Sequence, residues 1–368
     1  MRVAPIVLWA TFAATAAFHI VPLGVRVGAA SSRSPRHARR VARAEALGDA
    51  DDAQRDSPFP ASEPAADETD LRPWLALNAC ALVWGSQHVV IKLAVDGDLA
   101  GLSPALLNAA RFAVAALATA RFTPQPGTDR ATWQAGAQLG LWTFLGFACQ
   151  SIALLSTPAS RSAFLLYLNV KLVPFFARAL YGREIAPRTW ASAVVALTGT
   201  ALLAGSGPPL CAGDLWSVGA AAASAMFILT LDRTSAAASS PAALTAAANW
   251  CTLALCACWA FCADSGAGVA AAAVAAAPVT LLLAVAYLGA LPTALCGYLQ
   301  AYGQKTIPAE RAAFVYALDP AWAALWAFFI LGEALTPAGV LGAVLVVGAA
   351  AVGGLGGGDD GVKASSPG

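Results

Sequence analysis

RAAFVYALDPAWAALWAFFILGEALTP, residues Arg311–Pro337, decides how the chain is read. The run is apolar and longer than the roughly 20 residues a helix needs to cross hydrocarbon. One acid, Asp319, stands within its apolar body, followed at once by Pro320. It closes on Gly332-Glu333 and Pro337, where another apolar run begins. The same design stands 150 residues earlier. Arg161, Ala163, Phe164, Leu168, Ala177, Gly182 and Pro187 match Arg311, Ala313, Phe314, Leu318, Ala327, Gly332 and Pro337 without a gap. Upstream, Gln150 and Pro158 match Gln300 and Pro308. Downstream, Ala193, Val194 and Ala201 match Ala343, Val344 and Ala351. A duplicated membrane unit of this kind is a feature of secondary transporters.

The totals agree. Of 368 residues, 58% are hydrophobic and 12% charged, against about 25% charged in soluble domains. The mean hydropathy is +0.65. A polytopic helical membrane protein is expected. The net charge of +1 selects no partner, and no nucleic acid is expected. The eight cysteines form no CxxC, and Cys251, Cys258 and Cys262, which share a helix face, lack the His or acid a metal site wants. No metal or cofactor is implied.

Residues 1–44 contain no acid. Met1-Arg2 leads into an apolar run, Ile6–Ile20, too short to span comfortably and of signal-peptide type. An Arg- and Ser-bearing stretch follows, with Arg26, Arg33, Arg36, Arg39, Arg40 and Arg43, the composition of an organellar transit peptide. In series the two resemble the bipartite presequence of complex plastids, with Ala17-Phe18 as the cleavage site. The other reading is an extra membrane anchor with a basic flank. From Glu45 to Asp70 the charge reverses among Pro58, Pro60 and Pro64, as in a disordered spacer.

From Trp74 onward the apolar runs are regular. Ten spans are expected at 74–95, 101–122, 131–154, 159–181, 188–205, 213–231, 241–262, 278–303, 309–331 and 336–356. Helices are the expected form, because a lipid-exposed backbone must satisfy its own hydrogen bonds. Lys and Arg gather on one side of these spans: Arg72, Arg121, Arg130, Arg183, Arg188, Arg233, Lys305, Arg311 and Lys363. Arg161 and Lys92, with Asp96, Asp98, Asp214, Asp264 and Glu333, fall on the other. Five spans per unit is an odd number, so the units insert in opposite senses and a site is expected between them. The expected domains are a presequence and acidic spacer at 1–72, five-helix repeats at 73–205 and 206–356, and a disordered tail at 357–368.

Several stretches carry a resemblance to a known family. They are Leu82-Val83-Trp84-Gly85-Ser86 with Ile91-Lys92, Leu102-Ser103-Pro104 with Arg111-Phe112, Gly182-Arg183-Glu184, and Gly213-Asp214-Leu215. Leu318-Asp319-Pro320 through Leu331-Gly332-Glu333 adds a fifth. Over about residues 73–356 the chain resembles the EamA family of the drug/metabolite transporter superfamily. It departs where Ser224-Ala225-Met226-Phe227 lacks the usual leading aromatic, where Asp319 replaces a common Glu, and where Lys171 takes a usually apolar position. The resemblance implies ten helices and export or exchange of a small metabolite, without naming it.

An intramembrane charge costs roughly 2.5–3.5 kcal/mol on insertion scales, so each needs a reason. Arg111, Lys171 and Asp319 lie near the centres of the second, fourth and ninth spans. Either they pair structurally, or they share a cavity whose net positive charge takes an anionic or zwitterionic metabolite. Helical spacing places Tyr167 with Lys171 and Tyr316 with Asp319, and Gln150 and Gln300 are repeat-equivalent. The expected substrate-binding residues are Arg111, Lys171, Asp319, Tyr167, Gln300 and Tyr316, with none catalytic. His88 reads as a proton relay or as a packed, hydrogen-bonded residue. No phosphate loop, HExxH or GxSxG is present, so an enzyme is not expected. The function expected is transport by alternating access across a plastid membrane, with a non-transporting receptor or assembly protein as the alternative. The expected partners are the metabolite and the bilayer, with a homodimer left open.

Overall fold

The computed structural model describes residues 71–95, 102–125, 127, 129–182, 209–235, 238–263, 275–307, 315–316 and 318–354, with scattered positions at 191–202, 272 and 312. The presequence, acidic spacer and tail lie outside the described residues. So do most of the fifth expected span and Arg311.

The described residues are helical, with no strand among them. The helices are α1 (Arg72–Val95), α2 (Pro104–Thr119), α3 (Arg130–Ala153), α4 (Ala159–Leu166), α5 (Asn169–Tyr181), α6 (Ala212–Thr234), α7 (Pro241–Ala263), α8 (Val279–Leu288), α9 (Cys296–Gln304), α10 (Asp319–Leu331) and α11 (Pro337–Gly354). Among the described residues, six stretches are long and apolar enough to cross a membrane: α1, α2 with its trailing turn to Phe122, α4–α5 together, α6, α7, and α8–α9 together. Asp319–Leu331 and Pro337–Ala349 are apolar but shorter.

Local chemistry sets the ends. The Ser103 hydroxyl accepts from the Leu106 amide and Pro104 opens α2, where its missing N–H costs nothing. Asp214 accepts from the Cys211 amide at 3.0 Å and closes a capping box on α6. Gly182 and Gly332 end α5 and α10 in the left-handed region, with φ of 67° and 73°.

Small residues let the helices close up. A β-carbon on Gly136 would stand 3.0 Å from the Ala247 carbonyl carbon, and one on Gly140 3.0 Å from the Ala248 oxygen. Those pairs advance together along α3 and α7, so the two helices run parallel. Gly213 at the start of α6 packs on the Ala153 carbonyl at the end of α3, so α3 and α6 are antiparallel. Glu333, just past α10, binds the first residues of α4, so these helices also run in opposite directions.

Candidate functional site

Three of the apolar runs are interrupted, each beside a proline. Between α4 and α5 the chain tightens: Leu168 donates to the Leu165 carbonyl at 3.1 Å and Lys171 to that of Leu168 at 2.9 Å. Pro174 lacks the N–H that would bind the Val170 carbonyl, and its ring crowds that oxygen. Before α10, Leu318 donates to the Val315 carbonyl at 3.2 Å, and Pro320 withholds a donor from Tyr316. Asp319 therefore stands in the first turn of a helix and not mid-helix, where a carboxylate suits the positive end of the dipole. The third interruption is a π-helical segment, Gly289–Leu295, between α8 and α9 and holding Pro292. Here the Thr293 hydroxyl also donates to the Leu288 carbonyl at 2.7 Å, next to the proline that has no N–H to give.

All three interruptions face one cavity of about 160 Å³. By the same measure a water needs roughly 10–15 Å³, so the space matches on the order of ten waters, the bulk of a small metabolite. Tyr167 and Asn169 line it from the first break, Tyr316 and Asp319 from the second, and Pro292 and Thr293 from the third. Gln300 lines it from α9, Gln87 and Trp84 from α1, and Gln150 from α3. On α6 the lining runs from Ala220 to Leu231, and on α7 it includes Leu244 and Thr245. The cavity thus leans towards the end of the bundle where α6 finishes and α7 begins.

Of the three charges expected to share this space, Asp319 lines it. Arg111 stands behind the wall, fully buried. Its Nε donates to Thr293 Oγ1 at 2.6 Å and an Nη donates to Gln87 Oε1 at 2.7 Å, while the guanidinium carbon lies 4.1 Å from the Phe147 ring centre. Gln87, Thr293 and Phe147 all line the cavity, so Arg111 holds lining groups in place. Lys171 departs from the expected convergence. It is the third residue of α5, and its Nζ donates to the Ala349 carbonyl on α11 at 3.2 Å, outside the cavity lining. The physical reason is the break at Leu168, which starts α5 on a new register after Tyr167.

His88 is fully buried beside the cavity. Its Nδ1 lies 3.3 Å from Gln150 Nε2 and its Nε2 lies 3.9 Å from Asp319 Oδ2. Sequence reasoning missed Asn169, Thr293 and Gln87 as lining residues. Their signal is the same for all: a polar side chain inside an apolar run, two of them within three residues of the interruptions.

The opposite end of the bundle is tied shut by polar bonds. Glu333 Oε1 accepts from the Ala159 amide at 3.0 Å, and Oε2 accepts from the Ser160 amide at 3.0 Å and its hydroxyl at 2.7 Å. Beside it, Arg161 meets Asp214 at 3.3 Å, and the Thr157 hydroxyl donates to Asp214 at 3.2 Å. A carboxylate on the first turn of α4 suits the helix dipole as well as its free amides.

Two stretches, residues 73–205 and 212–353, match the model of the EamA-like transporter family. The chain belongs to the EamA-like transporter family. This EamA-like chain is 27% identical over 274 residues to an uncharacterized transporter of Archaeoglobus fulgidus, covering 74% of the chain and 82% of that relative. A solved crystal structure superposes on it with a TM-score of 0.56 at 21% identity, covering 77% of this chain and 96% of the other, a likeness of fold alone. With its apolar helices, family membership makes this an integral membrane protein of a transporter family and not of an enzyme family. Among the described residues no group of His, Cys, Asp and Glu is placed to hold a metal.

Proposed function

We propose that this chain carries a small metabolite across a plastid membrane by alternating access between two inverted five-helix halves, residues 73–205 and 206–356. The observation that carries the reading is the pair of helix breaks at Leu168 and Leu318. These leucines are 150 residues apart, match in the self-alignment, and flank residues that line one cavity. Interrupted helices at corresponding positions of two halves are the arrangement transporters use to build a midplane site. The opposite directions of α4 and α10 support the inversion, and the polar closure at one end supports a state with one entrance shut. In this reading Tyr167, Gln300, Tyr316 and Asp319 meet the substrate, and Arg111 steadies Gln87 and Thr293. Lys171 ties the fourth span to α11.

The test is counterflow in proteoliposomes preloaded with a metabolite panel. Saturable exchange that Tyr316→Ala abolishes, with the protein still inserted and monodisperse, supports the proposal. Absence of exchange for every compound, with the cavity variants folding as the wild type does, refutes it in favour of a non-transporting membrane protein. The plastid address rests on the acid-free Arg/Ser stretch that follows the apolar run in residues 1–44. Fusing residues 1–50 to a fluorescent protein checks it, and diffuse cytosolic signal counts against it.

A further inference from the structure

We propose that the substrate carries a protonated amine, seated on Asp319. This rests on the transporter reading of the cavity and names the charged group of its ligand. The sequence argument for an anion counts two cations against one acid. The geometry places neither cation on the cavity lining, although Arg111 keeps its charge behind the wall. Arg111 gives its guanidinium to Thr293, Gln87 and the Phe147 face, and Lys171 gives its ammonium to the Ala349 carbonyl. Among the described lining residues, Asp319 alone bears a Lys, Arg, His, Asp or Glu side chain.

Two acceptors on the lining await a donor, beside the unpartnered hydroxyls of Tyr167 and Tyr316, which can donate or accept. Asp319 Oδ1 is buried without a hydrogen-bond partner, as is Asn169 Oδ1, whose amide nitrogen is already given to Ser224 at 2.8 Å. A carboxylate oxygen left unpaired in a low-dielectric site is costly, and an ammonium brings three donors to such acceptors. The rings agree. Trp84 and Tyr316 line the cavity as a tilted pair with centroids 5.3 Å apart, and their faces attract a cation. A carboxylate or phosphate seated here would instead meet Asp319 at close range, where like charges repel most strongly. His88, 3.9 Å from Asp319 Oδ2, approaches from behind and leaves Oδ1 free for the ligand.

The experiment uses the purified full chain and three probes with one aromatic body: 2-phenylethylamine, 3-phenylpropionate and 2-phenylethanol. Binding is read by quenching of tryptophan fluorescence, since Trp84 and Trp142 line the cavity. The amine is expected to bind at least tenfold tighter than the acid or the alcohol. Asp319→Asn is expected to erase that preference and Asp319→Glu to retain it, with melting temperature recorded for each variant. If Asp319→Asn does not fold, the wild-type order of the three probes decides alone. Equal or tighter binding of the acid, or an amine preference that survives Asp319→Asn, overturns the amine assignment while counterflow of another compound leaves the transporter reading intact. Binding of none of the three overturns the assignment too, and absence of counterflow then separately removes the transporter reading.

Discussion

Glu333→Gln should loosen the closed end of the bundle by a calculable amount. Three bonds at 2.7–3.0 Å join this carboxylate to Ala159 and Ser160, two of them on Oε2. The amide keeps one acceptor oxygen, best placed towards the two Ser160 donors, and turns its NH2 against the Ala159 amide, donor against donor. Hydrogen bonds to a charged group contribute about 1.5–3 kcal/mol, and a charge on a helix N-terminus adds about 0.3–1 kcal/mol. Glu333 is only half-buried, so water replaces part of what is lost. A net loss of about 1–2 kcal/mol remains, which moves a closed-to-open ratio roughly 5–30-fold. Cys211 is a native reporter. Its sulfur lies 3.4 Å from Thr157 Oγ1 and 3.6 Å from the Ser156 carbonyl, within the same closure. Hydrogen bonding from Thr157 draws its thiol below the ordinary range only while the closure holds, so the baring of the sulfur is what speeds labelling on opening. In a variant with Cys149, Cys251, Cys258 and Cys262 replaced by Ser, maleimide labelling of Cys211, which is half-buried in the closed state, should accelerate on adding Glu333→Gln, with about 5–30-fold as the ceiling. Buried Cys80, Cys256 and Cys296 should stay unlabelled, which separates opening from unfolding. An unchanged Cys211 rate refutes the reasoning.

A β-carbon on Gly85 would fall 2.9 Å from the Ala323 nitrogen, so Gly85→Ala should force α1 and α10 apart at a cost of about 1–3 kcal/mol, read as a lower melting temperature. Thr293→Val strands the buried Arg111 Nε; a cost of about 1–3 kcal/mol is expected, with Thr293→Ser retaining the bond and most of the stability. Hydrogen bonds from Ser239 and Thr132 hold the exposed Asp129 carboxyl below the usual carboxylate range. Its contribution is therefore fully present above about pH 4, the unfolded value, and is lost as pH falls through the lower folded value. The melting-temperature gap between wild type and Asp129→Asn should be open at pH 7 and should shrink as the pH falls below about 4.

Glycine and proline carry most of what is legible in the sequence. Gly182 and Gly332, matched across 150 residues, both occupy the left-handed end of a helix, the position where a side chain is penalised. Gly136 and Gly140 sit where α7 comes closest. The polar lining is partly legible, since Tyr167, Gln300, Tyr316 and Asp319 stand out as polar residues at helical spacing. What fails is the inference from depth to neighbourhood. Arg111, Lys171 and Asp319 lie at similar depths, yet Arg111 finds Thr293, 182 residues away, and Lys171 finds Ala349, 178 residues away. Depth follows from counting along a helix. The direction a side chain takes across the bundle follows from rotation about the helix axis, and a break such as that at Leu168 resets it.

The interruptions also say where the bundle can bend. Within hydrocarbon, bending an intact helix exposes amides and carbonyls that no water can meet, at several kcal/mol for each unsatisfied group. At Pro174, Pro292 and Pro320 the regular ladder is already incomplete, because each proline withholds one donor. Beside Pro292 the Thr293 hydroxyl adds a bond to the Leu288 carbonyl, from a side chain that can follow its acceptor as the backbone turns. Bending at these three places breaks fewer new bonds than bending elsewhere. Pro292 lines the cavity, and the breaks at Leu168 and Leu318 flank the lining residues Tyr167, Asn169, Tyr316 and Asp319, so a bend there reshapes the site first. It also swings the segment that carries Glu333 relative to the amides of Ala159 and Ser160, two residues that begin another interrupted span. Site and closure are thus joined through the same broken helices, α4–α5 and α10. In the proposed transport reading, a ligand that draws Asp319 towards the cavity pulls on the helix whose far end carries Glu333, the residue bonded to Ala159 and Ser160.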